Sequence, residues 1–357
     1  MQALLLIYSF LPGFSKLFGS QLFFVLNVPI IFILFRKVQF SSKEIILCCI
    51  VITYIVLQSF QSFLFNQNFN VSSYFESLYV WILPFLAFFL SKKYSYLLIL
   101  KAIANVSFIH AVFGLLTYGF ISYPTYIQDL IDTLQDGAAY FRMSSVAGSL
   151  IFSGIVSIGF NIVLYLNIKK ELNGIKFYLM AFILAVATFF SLQRSSWLAI
   201  LIGVTIFCIY DKRKFALSLM MIIPLLLILV VFVTNNTFYM NRFMSLFSSD
   251  FNPVDERFMI WASGYNYLSE NPFGYGIGQL GQFAYKNNSD LNYFITDGDY
   301  VKWASEGGIF FILFFISTVI YCFVKTSRVF NKKLSKSSAS HIAISLGFLV
   351  QMIGSNI

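Results

Sequence analysis

The sequence predicts an all-α membrane protein, a polytopic bundle of transmembrane helices, and three observations lead to this class. The 357 residues are 59% apolar and only 11% charged, whereas soluble domains carry about 25% charged residues. The mean hydropathy is +0.79. The apolar residues gather into runs of about 20, the length that a helix needs to cross a hydrocarbon core of about 30 Å. These features exclude a soluble globular enzyme, a disordered chain, a coiled coil and a collagen.

About eleven apolar runs follow one another along the chain. In order, they cover residues 1–15, 20–35, 44–65, 76–91, 96–119, 144–167, 176–192, 195–210, 215–234, 302–324 and 341–357. Backbone N–H and C=O groups find no water in lipid, so each run is expected to be helical. The first run has no basic region before it, which favours a span over a cleaved signal peptide. Residues 1–357 are therefore predicted to form a single membrane domain.

The net charge of +9 is explained by membrane topology. If the connection after the second run is cytoplasmic, alternation places 16 Lys and Arg with three acids on that side. The outer side then holds seven cations and twelve acids. This distribution follows the positive-inside rule and predicts a plasma-membrane protein with a cytoplasmic N-terminus. Nucleic acid is therefore not expected as a partner.

The longest segment between spans is an outer loop over residues 235–301, between the ninth and tenth spans. It is long enough to fold into a small extramembrane unit, and binding residues concentrate on such loops. The function is therefore expected on the outer face. The four cysteines lie inside apolar runs without C-x-x-C spacing, so neither a disulfide framework nor a metal site is predicted, and no cofactor is expected.

Arginine is over-represented among the outer cations. Four of the seven are Arg, against three of the 16 cytoplasmic cations. Lys suffices for topology, whereas the planar fork of Arg matches phosphate and carboxylate groups. Arg142 precedes a span, Arg194 lies in a very short hairpin, and Arg257 lies in a predicted helix that Asn271-Pro272 ends. An anionic ligand bound from outside is favoured; snorkelling to lipid phosphates and ion pairs with outer acids are the alternatives.

Acidic residues mark the entrance of the tenth span. Asp297, Asp299 and Tyr300 precede this span, and Glu306 lies two to three turns further in. Such carboxylates can deprotonate a sugar hydroxyl. An equally simple explanation is that they cap the helix and complement its dipole.

Two further features look like catalytic motifs but have plainer explanations. Residues 276–281 match G-x-G-x-x-G, but a dinucleotide site needs a strand before this motif, and here a predicted helix and Asn-Pro precede it. A tight turn that brings the backbone close to the membrane or a ligand is the better interpretation. His110 and His341 lie in or beside spans, where hydrogen bonding between helices is more usual than catalysis.

Four stretches, in this order, resemble the O-antigen polymerase and O-antigen ligase superfamily of bacterial envelope proteins. They read YFRMSSVAGSLIFSG, SLQRSSWLA, ERFMIWASGYNYLSENPFGYGIGQ and DGDYVKWASEGGIFF. The third is the most specific, because Arg257 and Trp261 precede Asn271-Pro272 and a glycine-rich segment. The resemblance covers about 140–325. Family members usually have about twelve spans, so a complete chain could carry a twelfth.

The resemblance implies a metal-independent, inverting glycosyltransferase at the outer face of the plasma membrane. Its donor would be an oligosaccharide linked to undecaprenyl pyrophosphate. Arg142, Arg194 and Arg257 are expected to bind the pyrophosphate, and Arg194 and Arg257 also to stabilise it as it leaves. Asp297 is expected to activate the acceptor hydroxyl. Support for the acceptor or the base is expected from Asp299, Tyr300 and Glu306.

One departure from the family pattern separates two activities. Ligases resemble H-N-x-x-L at the entrance of the tenth span, with the His as proposed base, and aligned on Glu306 and Gly308 that position holds Asp297. A polymerase of O-antigen (lipopolysaccharide), capsule or exopolysaccharide repeat units is therefore favoured over a ligase that transfers glycan to an acceptor. A flippase or solute transporter is the other alternative, disfavoured because no internal duplication is visible. The expected partners are the lipid-linked oligosaccharide, membrane lipids and a chain-length regulator.

Overall fold

The structure is a computed structural model. It describes residues 1–19, 38–65, 70–118, 123–135, 143–210, 264–280 and 299–330, with short pieces at 22, 25–26, 29–30, 262 and 344–347. Throughout these residues the regular secondary structure is helical, without a strand. The second, ninth and eleventh predicted spans lie largely or wholly outside the described residues.

The helices with defined ends follow the predicted spans closely. They are α1 (Gln2–Phe18), α2 (Ser42–Phe65), α3 (Val71–Lys93), α4 (Tyr96–Thr117), α5 (Thr125–Gln135), α6 (Ser149–Ile168), α7 (Gly174–Phe190), α8 (Arg194–Tyr210) and α9 (Asp299–Phe330). The all-α class is confirmed. The short helix α5 lies between the predicted spans 96–119 and 144–167, where the sequence predicts no helix.

Five stretches among the described residues are long and apolar enough to cross a membrane. They are Ser42–Leu64, Val71–Lys93, Tyr96–Thr117, Ile151–Ile168 and Val301–Thr318. Shorter apolar helices cover Gln2–Phe14, Gly174–Phe190 and Arg194–Phe207. The chain is therefore a multi-pass membrane protein by length and composition, and the total of about eleven spans stays a prediction.

Helix α2 shows most directly that its surroundings are lipid. Its exposed side chains are large and apolar, among them Ile46 at 59%, Phe60 at 61% and Leu64 at 67% exposure. Its buried side chains include the polar residues Gln58 and Ser62. A helix in water shows the reverse distribution, so α2 turns its apolar surface outward and its polar groups toward protein.

The core of the described bundle is α6, which packs against α4, α7 and α8. Ser153, Ser157 and Asn161 are buried along one face of α6. The Asn161 amide donates to the carbonyl of Ala199 in α8 at 3.1 Å. Because lipid is as apolar as a side-chain core, small residues and polar cross-links of this kind hold membrane helices together.

Two ion pairs show which helix ends share one face of the bundle. Lys92 at the end of α3 pairs with Glu44 at the start of α2. Lys101 near the start of α4 pairs with Glu171, which follows α6, at 2.7 Å. All four residues belong to the predicted cytoplasmic face. The opposite ends of these helices, including residues 58–62, 143–148 and 190–194, therefore lie together on the other face, which the charge pattern predicts to be the outer one.

Candidate active site

A glycine-rich loop, residues 271–280, lies at this second face. The helical residues before it end at Glu270, as the Asn271-Pro272 pair predicts. Asn271 then shapes a tight turn, because its side-chain amide donates to the Gly274 carbonyl at 2.7 Å and its own carbonyl accepts from the Gly274 N–H at 2.9 Å. The turn sends the chain back into the bundle.

The loop backbone approaches its neighbours more closely than any side chain would allow. Gly274, Gly276 and Gly278 all have positive φ, at 88°, 93° and 78°. A Cβ atom at Gly276 would lie 2.5 Å from both the backbone nitrogen and the Oγ of Ser62 in α2. The sequence predicted that this motif brings the backbone close to the membrane or a ligand; in the structure the backbone lies against α2 and α3 instead. The dinucleotide interpretation fails on its local context, since helical residues precede the motif.

Helix α9 is broken where this loop meets it. Gly308 has φ 72° and ψ −170°, which interrupts the helix inside the apolar stretch. The carbonyl groups of Ser305 and Glu306 accept from the N–H groups of Tyr275 and Gly276, each at 3.0 Å. The loop thus satisfies backbone groups that the break would otherwise leave unpaired. Irregular backbone at membrane depth is tolerated only where protein or water provides such partners.

The polar side chains of α2 complete this junction. Gln58 donates to the carbonyl of Phe273 at 3.0 Å, and Gln61 donates to that of Gly274 at 2.6 Å. The Ser62 hydroxyl donates to the carbonyl of Ile277 at 2.9 Å. Tyr54 donates to the carbonyl of Gly307, next to the break. One face of α2 is therefore built to bind the loop and the broken helix.

Glu306 lies at the centre of the junction and is fully buried. Its Oε2 accepts from the indole Nε1–H of Trp81 in α3 at 3.2 Å, and its Oε1 accepts from the N–H of Gly278 at 3.1 Å. The N–H of Leu280 also donates to this carboxylate. Lys302, one turn earlier on the same helix face, is buried and acts on Glu306 by its charge. The carboxylate therefore joins α3, α9 and the loop.

An apolar groove runs beside the junction and encloses about 300 Å³. It lies between the helical residues 264–270 and the part of α9 from Val301 to Ile316. Its lining is almost wholly apolar: Gly264, Tyr265, Leu268, Val301, Trp303, Ala304, Phe311, Ile312, Phe315 and Ile316.

A second cluster surrounds the hairpin between α7 and α8. The N–H of Met143 donates to the carbonyl of Phe190 at 2.9 Å, which joins the segment before α6 to the end of α7. The hydroxyl of Ser145 bonds Nδ1 of buried His110 at 2.7 Å, so this histidine joins α4 to the non-helical segment before α6, whereas a bond to another helix was expected. Gln193 in the hairpin accepts from Ser153 in α6. The hairpin and the segment 143–148 therefore form one connected unit.

Arg194 is the first residue of α8 and is half-buried. The hairpin that presents it is closed by Trp197, whose indole N–H donates to the carbonyls of Thr188 and Phe189 at 3.2 Å and whose ring stacks on Phe189. This explains the aromatic residue after the Arg in SLQRSSWLA. A helix N-terminus already carries partial positive charge, so a guanidinium placed there makes a position that favours anions.

The other predicted site residues are described less fully or not at all. The backbone of Asp299 and Tyr300 forms the first turn of α9, and their side chains are outside the described part of the chain. Arg142, Arg257 and Asp297 lie outside the described residues altogether.

Several residues at the junction were not predicted from the sequence. Trp81 carries no signal that separates it from other aromatic residues in spans. A sequence signal does exist for the polar residues Gln58, Gln61 and Ser62. They occupy positions i, i+3 and i+4, which share a helix face, and polar groups within a span usually face protein.

One known family resembles this region. Residues 179–316 match the family model described as O-antigen ligase. This match supports the O-antigen ligase and polymerase superfamily that the sequence resembles. The match begins within α7 and ends within α9, and it contains the hairpin, the glycine-rich loop and the break in α9, but not the α2 and α3 residues that contact them. No curated protein matches the chain. The superfamily implies a membrane enzyme of the glycosyl-transfer kind that acts on lipid-linked oligosaccharides.

Proposed function

We propose that the protein polymerises oligosaccharide repeat units that are linked to undecaprenyl pyrophosphate, at the outer face of the plasma membrane. The observation that carries this proposal is the hydrogen bond from the Met143 N–H to the Phe190 carbonyl at 2.9 Å. It joins the residue after Arg142 to the hairpin that presents Arg194. Contact between the segment that follows Arg142 and the hairpin that contains Arg194 supports a shared diphosphate site.

In this proposal Arg142, Arg194 and Arg257 hold the pyrophosphate of the donor. Arg194 and Arg257 also stabilise the charge that develops as the pyrophosphate leaves the anomeric carbon. The electrostatic effect is large in a site shielded from water, where loss of one such donor typically reduces the rate by about 10²–10³. The N-terminal position of Arg194 on α8 supports this role, because the helix dipole adds to its positive charge.

Asp297 is proposed as the base that activates the acceptor hydroxyl. Asp297 lies two residues before α9. The first turn of α9, which includes Asp299 and Tyr300, would therefore orient Asp297 toward the acceptor hydroxyl. A single displacement by the hydroxyl inverts the anomeric carbon, and the proposed mechanism needs no metal, because the arginines neutralise the leaving group. The apolar groove beside α9 offers an apolar surface of suitable chemistry for the prenyl chain of the donor.

A ligase is the second candidate activity. The polymerase is favoured over it because Asp297 stands at the position of the ligase His. A transporter is the third candidate function, because transporters often use discontinuous helices whose free ends bind substrates and ions. Here the carbonyls of Ser305 and Glu306 accept from the glycine-rich loop. These helix-end carbonyls are already hydrogen-bonded within the protein, which supports a fixed scaffold over a transport site.

Elongation by the purified protein tests the proposal. A defined lipid-linked repeat unit is incubated with protein in detergent or nanodiscs, with and without chelator, and product length is read on a gel. A ladder of products that persists with chelator is expected. Release of free glycan or transfer to an added lipid acceptor, without a ladder, would favour the ligase. No product in either assay, combined with trapping of lipid-linked units inside knockout cells, would favour the flippase.

The proposed orientation places this site outside and the N-terminus in the cytoplasm. Membrane-impermeant thiol labelling of single cysteines introduced next to Glu171 and Gln279 separates the two faces. Labelling at 279 and protection at 171 in intact cells is expected; the opposite pattern would reverse the orientation. A chain-length regulator is the proposed protein partner.

A further inference from the structure

The turn between α7 and α8 holds one residue in a strained backbone conformation. Leu192, two residues before Arg194, has φ 54°, in the left-handed region that is unfavourable for residues other than Gly. Its side chain is only 5% exposed and belongs to the apolar core that α4, α6, α7 and α8 share. Packing therefore holds the turn in this conformation, and backbone strain that is maintained in this way is typical of functional sites.

Gln193 lies between this strained residue and Arg194, and both its backbone and its side chain are bonded. Its carbonyl accepts from the N–H groups of Ser196 and Trp197 at 3.1 and 3.2 Å, which closes the first turn of α8. Its side-chain Oε1 accepts from the Ser153 hydroxyl in α6. Gln193 is 7% exposed, and Ser153 is fully buried. The residue before Arg194 is thus bonded both to the helix that follows it and to the central helix of the bundle.

The buried pair of Ser153 and Gln193 is not needed to reverse the chain. Burying a hydroxyl and an amide is unfavourable unless they bond each other, and two apolar side chains would fill the same space without this penalty. A hydrogen bond differs from an apolar contact because it fixes both a distance and a direction. A guanidinium that binds a reacting group needs such a fixed origin, since a misplacement of about 1 Å can lower a rate by about 10². The bond is therefore explained by what it holds in place, which is the start of α8.

We propose that Gln193 is a positioning residue, whose bond to Ser153 fixes the start of α8 against α6 and so holds Arg194 in place to bind the donor pyrophosphate. The last clause rests on the proposed function, whereas the anchoring of the hairpin does not. Gln193 acts through Arg194 and contacts no substrate in this role. Support from a side chain on a rigid helix keeps a binding residue in its working geometry.

Ser153→Ala tests the anchor by the loss of one oxygen atom, which removes the donor to Gln193. Ser153→Thr restores a hydroxyl on the same Cβ and is the conservative rescue. Gln193→Met removes the acceptor at nearly the same side-chain length and keeps the backbone carbonyl that closes the turn. Ser157→Ala is the matched control. Ser157 is fully buried one turn further along the same face of α6, and its hydroxyl donates to the Gly154 carbonyl within that helix at 3.2 Å.

Hydrogen exchange measured by mass spectrometry on the full chain reads the anchor without any substrate. Ser153→Ala and Gln193→Met are expected to speed exchange of the amides of residues 189–197 by about tenfold, because the strained turn is then free to relax. Ser153→Thr and Ser157→Ala should leave these amides at the wild-type rate, and exchange in α2 and α3 should be unchanged in all four variants. Wild-type exchange at 189–197 in both Ser153→Ala and Gln193→Met would overturn the anchor. Faster exchange throughout the chain would mean general unfolding and would overturn it too.

Binding of inorganic pyrophosphate then separates positioning of Arg194 from a merely structural role. The dissociation constant is obtained from the rise in apparent Tm with pyrophosphate concentration. Ser153→Ala is expected to weaken binding by about tenfold, and Ser153→Thr should restore it. In an Arg194→Ala background, Ser153→Ala should cause no further loss, because the residue that it positions is gone. An equal loss in the two backgrounds would overturn the positioning role and keep only the anchor, as would a wild type that binds no pyrophosphate.

Steady-state elongation gives the matching activity measurement. Ser153→Ala is expected to lower kcat/KM for the lipid-linked repeat unit by about tenfold or more, with rescue by Ser153→Thr and wild-type values in Ser157→Ala. Wild-type kcat/KM in Ser153→Ala would overturn the positioning role. If the wild type elongates nothing, the proposed function fails, while hydrogen exchange still decides the anchor and the pyrophosphate measurements still decide whether it serves Arg194.

Discussion

Replacing Gly276 with Ala should destabilise the junction between α2 and the glycine-rich loop. The residue has φ 93°, and a left-handed backbone costs an L-residue about 1–2 kcal/mol. The added Cβ would lie 2.5 Å from the Ser62 nitrogen and Oγ, and 2.8 Å from the Gln58 carbonyl. Overpacking of this kind typically costs about 1–3 kcal/mol. The two terms together predict a loss of about 2–5 kcal/mol.

Gly174→Ala is the matched control for this prediction. Gly174 also has a positive φ, 63°, but nothing lies within 4 Å of the position that its Cβ would take. Only the backbone term applies, so a loss of about 1–2 kcal/mol is expected. The comparison therefore separates crowding from backbone strain.

The assay is the apparent Tm of both variants in the same detergent, at one scan rate because unfolding of such proteins is often irreversible. Gly276→Ala is expected to melt clearly below Gly174→Ala, and its membrane yield should fall. Equal Tm shifts in the two variants would refute the reasoning, because they would show that the loop does not press against α2 as described.

Three further substitutions test the proposed site. Arg257→Lys should lose most elongation activity at normal membrane expression, because the charge remains while the fork of donors is lost; wild-type activity on the same gel would remove Arg257 from the pyrophosphate site. Asp297→Asn should abolish turnover in the purified system, and normal chain length there would move the role of base to Asp299 or Glu306. Gln58→Leu should lower the apparent Tm by an amount equivalent to about 1–3 kcal/mol, since it leaves the Phe273 carbonyl without its Gln58 donor; an unchanged Tm would contradict this.

Much of the scaffold could be predicted from the sequence, because lipid imposes strong rules on single segments. Apolar runs had to be helices, and the described spans confirm this. The end of the helical residues at Glu270 follows from Asn271-Pro272, whose ring excludes the helical conformation before it. The hairpin before Arg194 was recognisable because the two apolar runs leave only a few residues between them.

The junction could not be predicted, because its bonds join segments far apart in the chain. Trp81 and Glu306 are 225 positions apart, and no local pattern pairs them. The break at Gly308 falls inside an apolar stretch that reads as one uninterrupted helix, and only the loop backbone opposite it makes the break tolerable. The glycine-rich motif predicted a close backbone approach, but its spacing does not say which neighbour is approached. The roles of Arg142, Arg257 and Asp297 stay predictions.

The break in α9 also has a consequence for biogenesis. Val301–Thr318 has a mean hydropathy of 1.3, against 2.0 for Ser42–Leu64, and it brings Lys302 and Glu306 into the bundle. A segment that carries such polar residues inserts poorly into lipid by itself. Helices α2 and α3 are synthesised earlier, so Gln58 and Trp81 are already in place to bind the loop and α9. Translation therefore completes α2 and α3 before α9, and α9 enters the bilayer beside helices that already present its polar partners.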